Sequence, residues 1–190
     1  MCLKLFVFFF IVSSLFSQDA TLKKIEQYLD ELPCIEADFL QVNPNGSMVE
    51  GVFYIDRKNK KLRLNYPSKS QYIVARVGFL YVVDELQKTI DYVDASYTPV
   101  GILLQNHIRF NKNVFVKKTD YIKDDIFLTI SDSSLNESGL MILHFTVTPK
   151  VDLKGWTIQD MQGNITQVVI HSLKNNVSFS EKLFEKPILR

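Results

Sequence analysis

The spacing of apolar and polar residues changes several times along this chain, and each change marks an element. From Thr21 to Leu32 the apolar residues Leu22, Ile25, Leu29 and Leu32 recur every three or four positions, with Lys23, Lys24, Glu26, Gln27 and Asp30 between them. That spacing predicts an amphipathic helix, and Pro33, which has no N–H to extend the ladder, stops it. From Ile35 the period becomes two: Ile35, Ala37, Phe39 and Gln41 share one face of a strand, with Glu36 and Asp38 on the other. Asn43-Pro44-Asn45-Gly46 is turn chemistry. Gly51 to Pro67 then predicts two strands about a short basic turn. Gly51, Phe53, Ile55 and Arg57 fall on one face, with Val52, Tyr54 and Asp56 opposite; beyond the turn Leu62, Leu64 and Tyr66 alternate with Lys61, Arg63 and Asn65. Gln71 to Arg76 and Phe79 to Asp84 form a further hairpin around Val77-Gly78, and Thr89 to Asp94 another strand. Strands joined by turns this short are antiparallel neighbours.

The pattern then breaks. Thr98-Pro99 before Val100, Ile102, Leu103 and Leu104 predicts a short apolar helix with Thr98 as N-cap and Pro99 at the first helical position. A helix of that composition is either covered or covers something apolar itself. Strands resume at Phe127 to Ile130, Met141 to Thr148, Trp156 to Asp160 and Ile165 to Ser172. Asp132-Ser133-Ser134, Gln162-Gly163-Asn164 and Asn175-Asn176 are turns between and after them, and Leu183-Phe184 forms a last short element. The expected fold class is α+β, a curved antiparallel sheet with its helices on one side. Arg57 closes a row of inward apolar residues, so a guanidinium stands at the rim of an oily concave surface. That combination points to a protein that holds something apolar and closes over it with a polar latch.

The first residues bear on location. Met1 to Ser17 carries one early charge, Lys4, then an apolar run from Leu5 to Val12 and the small residues Ser13, Ser14 and Ser17. The run falls short of the roughly twenty residues a membrane span needs and matches the apolar core of a secretory signal cleaved after Ser17. An uncleaved N-terminal anchor is the alternative. No cysteine follows the run directly, so a lipoprotein signal is not expected. The expected organisation is a signal peptide over 1–17 and a single domain over 18–190, soluble in the bacterial periplasm. Cys2 leaves with the signal, and Cys34 alone makes no internal disulfide. With 22 basic and 21 acidic residues, scattered, the chain lacks the one-sided basic face of a nucleic-acid binder. The cluster Arg57, Lys58, Lys60, Lys61 and Arg63 reads as a solvated hairpin turn.

Catalytic signatures are missing from the sequence. His107, His144 and His171 stand apart, none at metal-ligand spacing from another His or a Cys. Cys34 has no histidine near it in sequence. There is no Gly-x-Ser-x-Gly elbow, phosphate-binding glycine loop or dinucleotide fingerprint. Asp160 with Met161-Gln162-Gly163-Asn164 lacks the run of oxygen ligands a calcium loop needs and reads as a turn. The expectation is a binding protein with no catalytic residue, metal or cofactor, and not an enzyme.

Assembled in order, these segments resemble the periplasmic outer-membrane lipoprotein carrier family LolA. Ile35-x-Ala37-x-Phe39-x-Gln41 is similar to the family's first strand, and Gly51-x-Phe53-x-Ile55-x-Arg57 to its strand that ends in an arginine. Leu62-Arg63-Leu64-Asn65-Tyr66 resembles the segment that usually reads aromatic-Arg-Trp-x-Tyr. Thr98-Pro99 with Leu103-Leu104 resembles the short lid helix, and Trp156-x-Ile158-x-Asp160 with Gly163-Asn164 the late hairpin. Three departures stand out: Lys58 follows the arginine where the family commonly has Pro, Leu64 replaces an aromatic, and the turn is one residue longer. The resemblance implies an incomplete antiparallel β-barrel with a lid of short helices over the concave face. It implies a monomeric carrier that accepts lipoproteins, by their acyl chains, from an inner-membrane ABC release complex. Delivery would be to an outer-membrane receptor lipoprotein where one exists. Arg57 would tether the lid through helix carbonyls. Phe39, Phe53, Ile55, Leu62, Leu64, Tyr66, Ile102 and Leu103 would line the lipid site, with ordinary core packing the alternative for each. Other readings stay open: a half-barrel lipid or lipoprotein sensor in envelope-stress signalling, a periplasmic hydrolase on a β scaffold, and a plain interaction module.

Overall fold

The computed structural model describes residues 9–95, 98, 100–131 and 139–188. Helix α1 (Phe9–Asp30) leads into β1 (Cys34–Val42), β2 (Met48–Asp56), β3 (Lys61–Tyr66), β4 (Gln71–Arg76), β5 (Phe79–Asp84) and β6 (Thr89–Asp94). A one-turn helix α2 (Val100–Leu103) follows. The chain then runs through β7 (Phe115–Ile122), β8 (Asp125–Ser131), β9 (Leu140–Thr146), β10 (Asp152–Gln159) and β11 (Ile165–Asn175). All eleven strands belong to one curved, unclosed sheet in the order β6-β5-β4-β3-β2-β1-β11-β10-β9-β8-β7, every neighbouring pair antiparallel.

Two features of this order matter for function. The first and last strands lie side by side in the middle, where Ile35 pairs with Asn175 and Phe39 with Ile170. The two edge strands, β6 and β7, are consecutive in the chain, so the segment between them must travel from one edge of the sheet to the other. α2 sits on that segment. A connection of this kind crosses the open mouth of a half-barrel, and its apolar residues Ile102, Leu103, Leu104 and Ile108 are buried against the sheet.

Strand β7 is a departure from the sequence reading, which begins the second half of the sheet at Phe127. Val116-Lys117-Lys118-Thr119-Asp120 puts polar residues on both faces, as an edge strand can, and a register shift between Val116 and Lys118 breaks the alternation. β10 likewise begins at Asp152, before the expected Trp156, because a second shift falls between Leu153 and Gly155. β11 runs on to Asn175. α1 begins at Phe9, inside the segment expected to be a signal, and ends at Asp30 ahead of Pro33. Pro99 and the expected turn Asp132-Ser133-Ser134 lie outside the described residues.

The inner face is a set of cross-strand rows. Ile35, Ile55, Leu62, Ala75, Leu80 and Val93 form one, and Ala37, Phe53, Leu64, Ile73 and Val82 the next. Aromatic contacts tie the rows together: Phe39 meets Phe53 at 6.0 Å and Tyr66 at 5.6 Å, and Phe53 meets Trp156 at 5.4 Å. Gly51 makes room for the Phe39 ring, since a Cβ there would sit 2.5 Å from that ring and 2.5 Å from the carbonyl of Asn65.

Candidate functional site

The apolar floor continues farther than its cover. On β1–β3 the inward apolar residues are buried, whereas on β5 and β6 Val82 and Val93 are 42% and 41% exposed. The covered part lies under α1, whose Leu22, Ile25 and Leu29 face the sheet, and under the α2 segment. Between cover and floor remains a cavity of about 20 Å³ lined by Leu29, Leu32, Ile35, Phe53, Ile55, Arg57, Leu103, Ile108, Leu153 and Trp156. That is about the room of one water molecule. The site is closed.

Arg57 bridges the cover and the floor. Its backbone N–H donates to the carbonyl of Pro33 at 2.9 Å, which places the residue directly below the end of α1. From there Nη1 donates to the carbonyl of Leu29 in the last turn of α1. Nε donates to the carbonyl of Gln105, just past α2, at 3.0 Å. One side chain thus links both helices to the sheet. The Leu29 carbonyl lacks its regular partner four residues on, because Pro33 has no N–H, and it accepts from the Leu32 N–H at 3.2 Å as well as from Arg57. Arg57 is only 4% exposed, and its remaining nitrogen Nη2 is buried with no hydrogen-bond partner among the described residues. Burial pulls the guanidinium below its ordinary pKa, while Asp30 nearby favours the charged form. An arginine stays protonated throughout the physiological range regardless.

A second, outer fastening joins the same two segments. Arg109 grips the Asp30 carboxylate with Nη2 at 2.6 Å and Nη1 at 3.1 Å, and His107 Nδ1 lies 3.1 Å from the same group. The N–H of Phe110 donates to Glu26 Oε1 at 2.7 Å. The Arg109 hydrogen bonds hold Asp30 below the usual carboxylate pKa. Sequence spacing gave no sign of this clamp, because its members lie 77 to 84 positions apart and meet only through the β6–β7 crossing.

The lipid-lining candidates divide. Phe53, Ile55 and Leu103 wall the closed cavity. Phe39, Leu62, Leu64, Tyr66 and Ile102 are buried in the core outside that wall. Tyr66 donates its hydroxyl to Gln41 at 2.8 Å, and burial pushes its pKa up to about 12. Leu29, Leu32, Ile35, Ile108, Leu153 and Trp156 complete the lining with Arg57, and the sequence analysis did not name these six as lipid-lining. The Thr98 hydroxyl, expected to accept as an N-cap, instead donates back to the carbonyl of Ala95 at 2.8 Å. Cys34 is free and half-buried, and burial raises its thiol pKa, the opposite of an activated nucleophile. Among the described residues no group of His, Cys, Asp and Glu side chains could hold a metal ion.

An unclosed antiparallel half-barrel with a latched helical cover defines a class of binding folds. Within it the chain belongs to the outer membrane lipoprotein carrier protein LolA family, whose sequence pattern matches residues 30–186. No curated protein sequence matches the chain. Among solved structures, an uncharacterized conserved protein from Thermus thermophilus is similar with a TM-score of 0.51 at 9% identity, over 90% of this chain and 94% of that one. A DUF1329 family protein from Desulfovibrio piger gives 0.50 at 7% identity, over 90% and 98%. The LolA superfamily protein NE2245 from Nitrosomonas europaea gives 0.45 at 12% identity, over 88% and 97%. At these identities the likeness is one of fold.

Proposed function

We propose that this protein is a periplasmic carrier that shelters the acyl chains of lipoproteins between the inner and outer membranes. The carrying observation is Arg57, whose guanidinium fastens two helices over an apolar floor with almost no space left beneath. Membership of the lipoprotein carrier family supports the same reading. In this reading residues 1–17 are a cleaved secretory signal. Cargo is received from an inner-membrane ABC release complex and passed to an outer-membrane receptor.

The energetics suit a carrier. Each methylene withdrawn from water contributes roughly 0.8 kcal/mol, so acyl chains gain tens of kcal/mol in gross terms on being sheltered. A preformed cavity would keep most of that gain and release its cargo slowly. Here the helices already cover the floor, so cargo must displace apolar contacts and Arg57 hydrogen bonds that re-form when it leaves. These contacts lower net affinity and drive return to the closed state. The lining residues Phe53, Ile55 and Leu103 are the first surfaces exposed when the helices lift.

The test is reconstitution. The mature chain, incubated with a membrane-embedded lipoprotein and the release complex, is expected to yield a soluble complex with the acylated protein. A non-acylated version of the same cargo should yield none. Equal recovery of both forms would show that acyl chains are not what is held and would sink the proposal.

A further inference from the structure

A groove of about 710 Å³ lies beside the closed cavity, between α1 and strands β10–β11. It exists because the sheet splits there. β10 and β11 pair only from Gly155–Gln159 to Ile165–Val169. Beyond that point residues 152–154 and 170–173 diverge, and the groove occupies the gap between them. On each side of the gap a strand edge lacks a strand partner. Position 153 is part-satisfied by a side chain, since its N–H donates to the Tyr28 hydroxyl at 3.0 Å. That hydroxyl donates in turn to Asp152 at 3.3 Å, and Asp152 also pairs with Lys154 at 2.6 Å.

The groove and the closed cavity share a wall. Leu32 and Leu153 line both. A chain passing between these two residues enters the cavity under α1, and whatever is attached to its outer end stays in the groove. At the other end of the cover, beneath α2, a second recess of about 260 Å³ is bounded mostly by Ala75, Gly78, Phe79, Ala95, Ile102 and Leu104. The recess is the more apolar of the two, although Lys60, Arg76, Thr98 and Gln105 also line it.

We infer that the groove binds, in extended form, the cargo's own peptide directly after its acylated N-terminal residue, with the acyl chains directed under α1. The inference rests on the carrier reading and gives it a direction. Two strand edges facing a common gap offer backbone N–H and C=O groups to an added strand, the usual way a sheet recognises extended peptide. The rim carries both signs: Lys24, Lys150 and Glu31 have no ion-pair partner among the described residues, and Asp152 stands between them. A lone phosphate would meet carboxylates as well as ammonium groups, whereas a peptide with its alternating dipoles meets complementary groups along its length.

Cross-linking of the full mature chain tests this. A photo-reactive phenylalanine analogue replaces Lys150 in one variant and the exposed Val77, on the β4–β5 turn at the far rim, in another. Each variant is loaded with an acylated lipoprotein, and separately mixed with phosphatidylglycerol vesicles. The expected result is a cross-link from position 150 to the first residues of the cargo, lost when position 77 carries the probe. Bound acylated cargo with no peptide cross-link from position 150 overturns the groove alone. So does a cross-link from position 150 to phospholipid in place of peptide, or a peptide cross-link from position 77. Failure of acylated cargo to bind either variant or the unsubstituted chain overturns the carrier reading and the groove with it.

Discussion

The sheet wears a cover on each face, and the two are held differently. On the convex face the C-terminal segment crosses β2–β5 with Phe184 set into the surface at 1% exposure. Phe179 links it to Tyr54 at 5.9 Å and to Phe184 at 5.6 Å. Arg63 and Arg76 donate to the carbonyls of Leu183 and Phe184, at 3.2 and 3.4 Å, from the edges of this aromatic plug. On the concave face the order is reversed: a buried cation is at the centre, apolar contacts surround it, and one of its nitrogens is left without a partner among the described residues. A buried donor without a partner costs on the order of 1–3 kcal/mol, so the concave cover is the weaker one by construction.

Breaking the convex cover should have the larger effect on stability. Phe184→Ala is expected to cost about 3–5 kcal/mol, the range for emptying an aromatic site in a core, read as a lower urea midpoint at unchanged slope. A loss below ~1 kcal/mol would mean that the segment is loosely attached and that the contrast between the two faces fails.

Arg57→Leu acts on the other side and should divide stability from function. Removing the guanidinium also removes its desolvation cost, which offsets part of the lost hydrogen bonding, so the stability loss should be smaller than for Phe184→Ala and secondary structure should stay intact. The closed state nevertheless loses two hydrogen bonds from a charged donor, so the open, loaded state gains relative to it. Cargo release should slow by about tenfold or more, taking ~1.5–3 kcal/mol for a bond of this kind. Unaltered release kinetics would remove the latch from the account.

Acid should loosen the outer clamp before it touches the convex plug. Asp30 has a folded-state pKa below its unfolded value, so its contribution is present above the unfolded value near 3.9 and disappears as pH falls through the lowered one. Hydrogen exchange in α1 and around Arg109 should therefore accelerate below about pH 4, and Asp30→Asn should remove that dependence. The smallest effect belongs to Lys61→Ala. Its 2.6 Å pair with Glu181, an exposed partner, should change stability by under ~1 kcal/mol.

Much of this was legible in the sequence, and the limits have physical causes. Strict alternation through β1, β2 and β3 marked their inward residues, because one face of each is buried and a one-residue slip would expose the whole set. Arg57 stood out as a charge on the apolar face of such a row. Its Leu29 partner was not: Pro33 marks the end of α1 without saying which carbonyl the arginine takes. Strand β7 was hidden because an edge strand need not alternate. The Asp30–Arg109 clamp and the groove were hidden because they arise from the β6–β7 crossing and from the parting of β10 and β11. Neither leaves a local pattern in the sequence.

The crossing itself has a consequence for repeated use. Since the α2 segment is tied to β6 at one end and β7 at the other, the opening that the carrier proposal requires would leave it tethered at both ends. Finding its seat again is a search over a short tethered span, a far smaller entropic task than refolding a free arm. Under the proposed carrier role, such a cover would be ready for the next passenger as soon as the last had left.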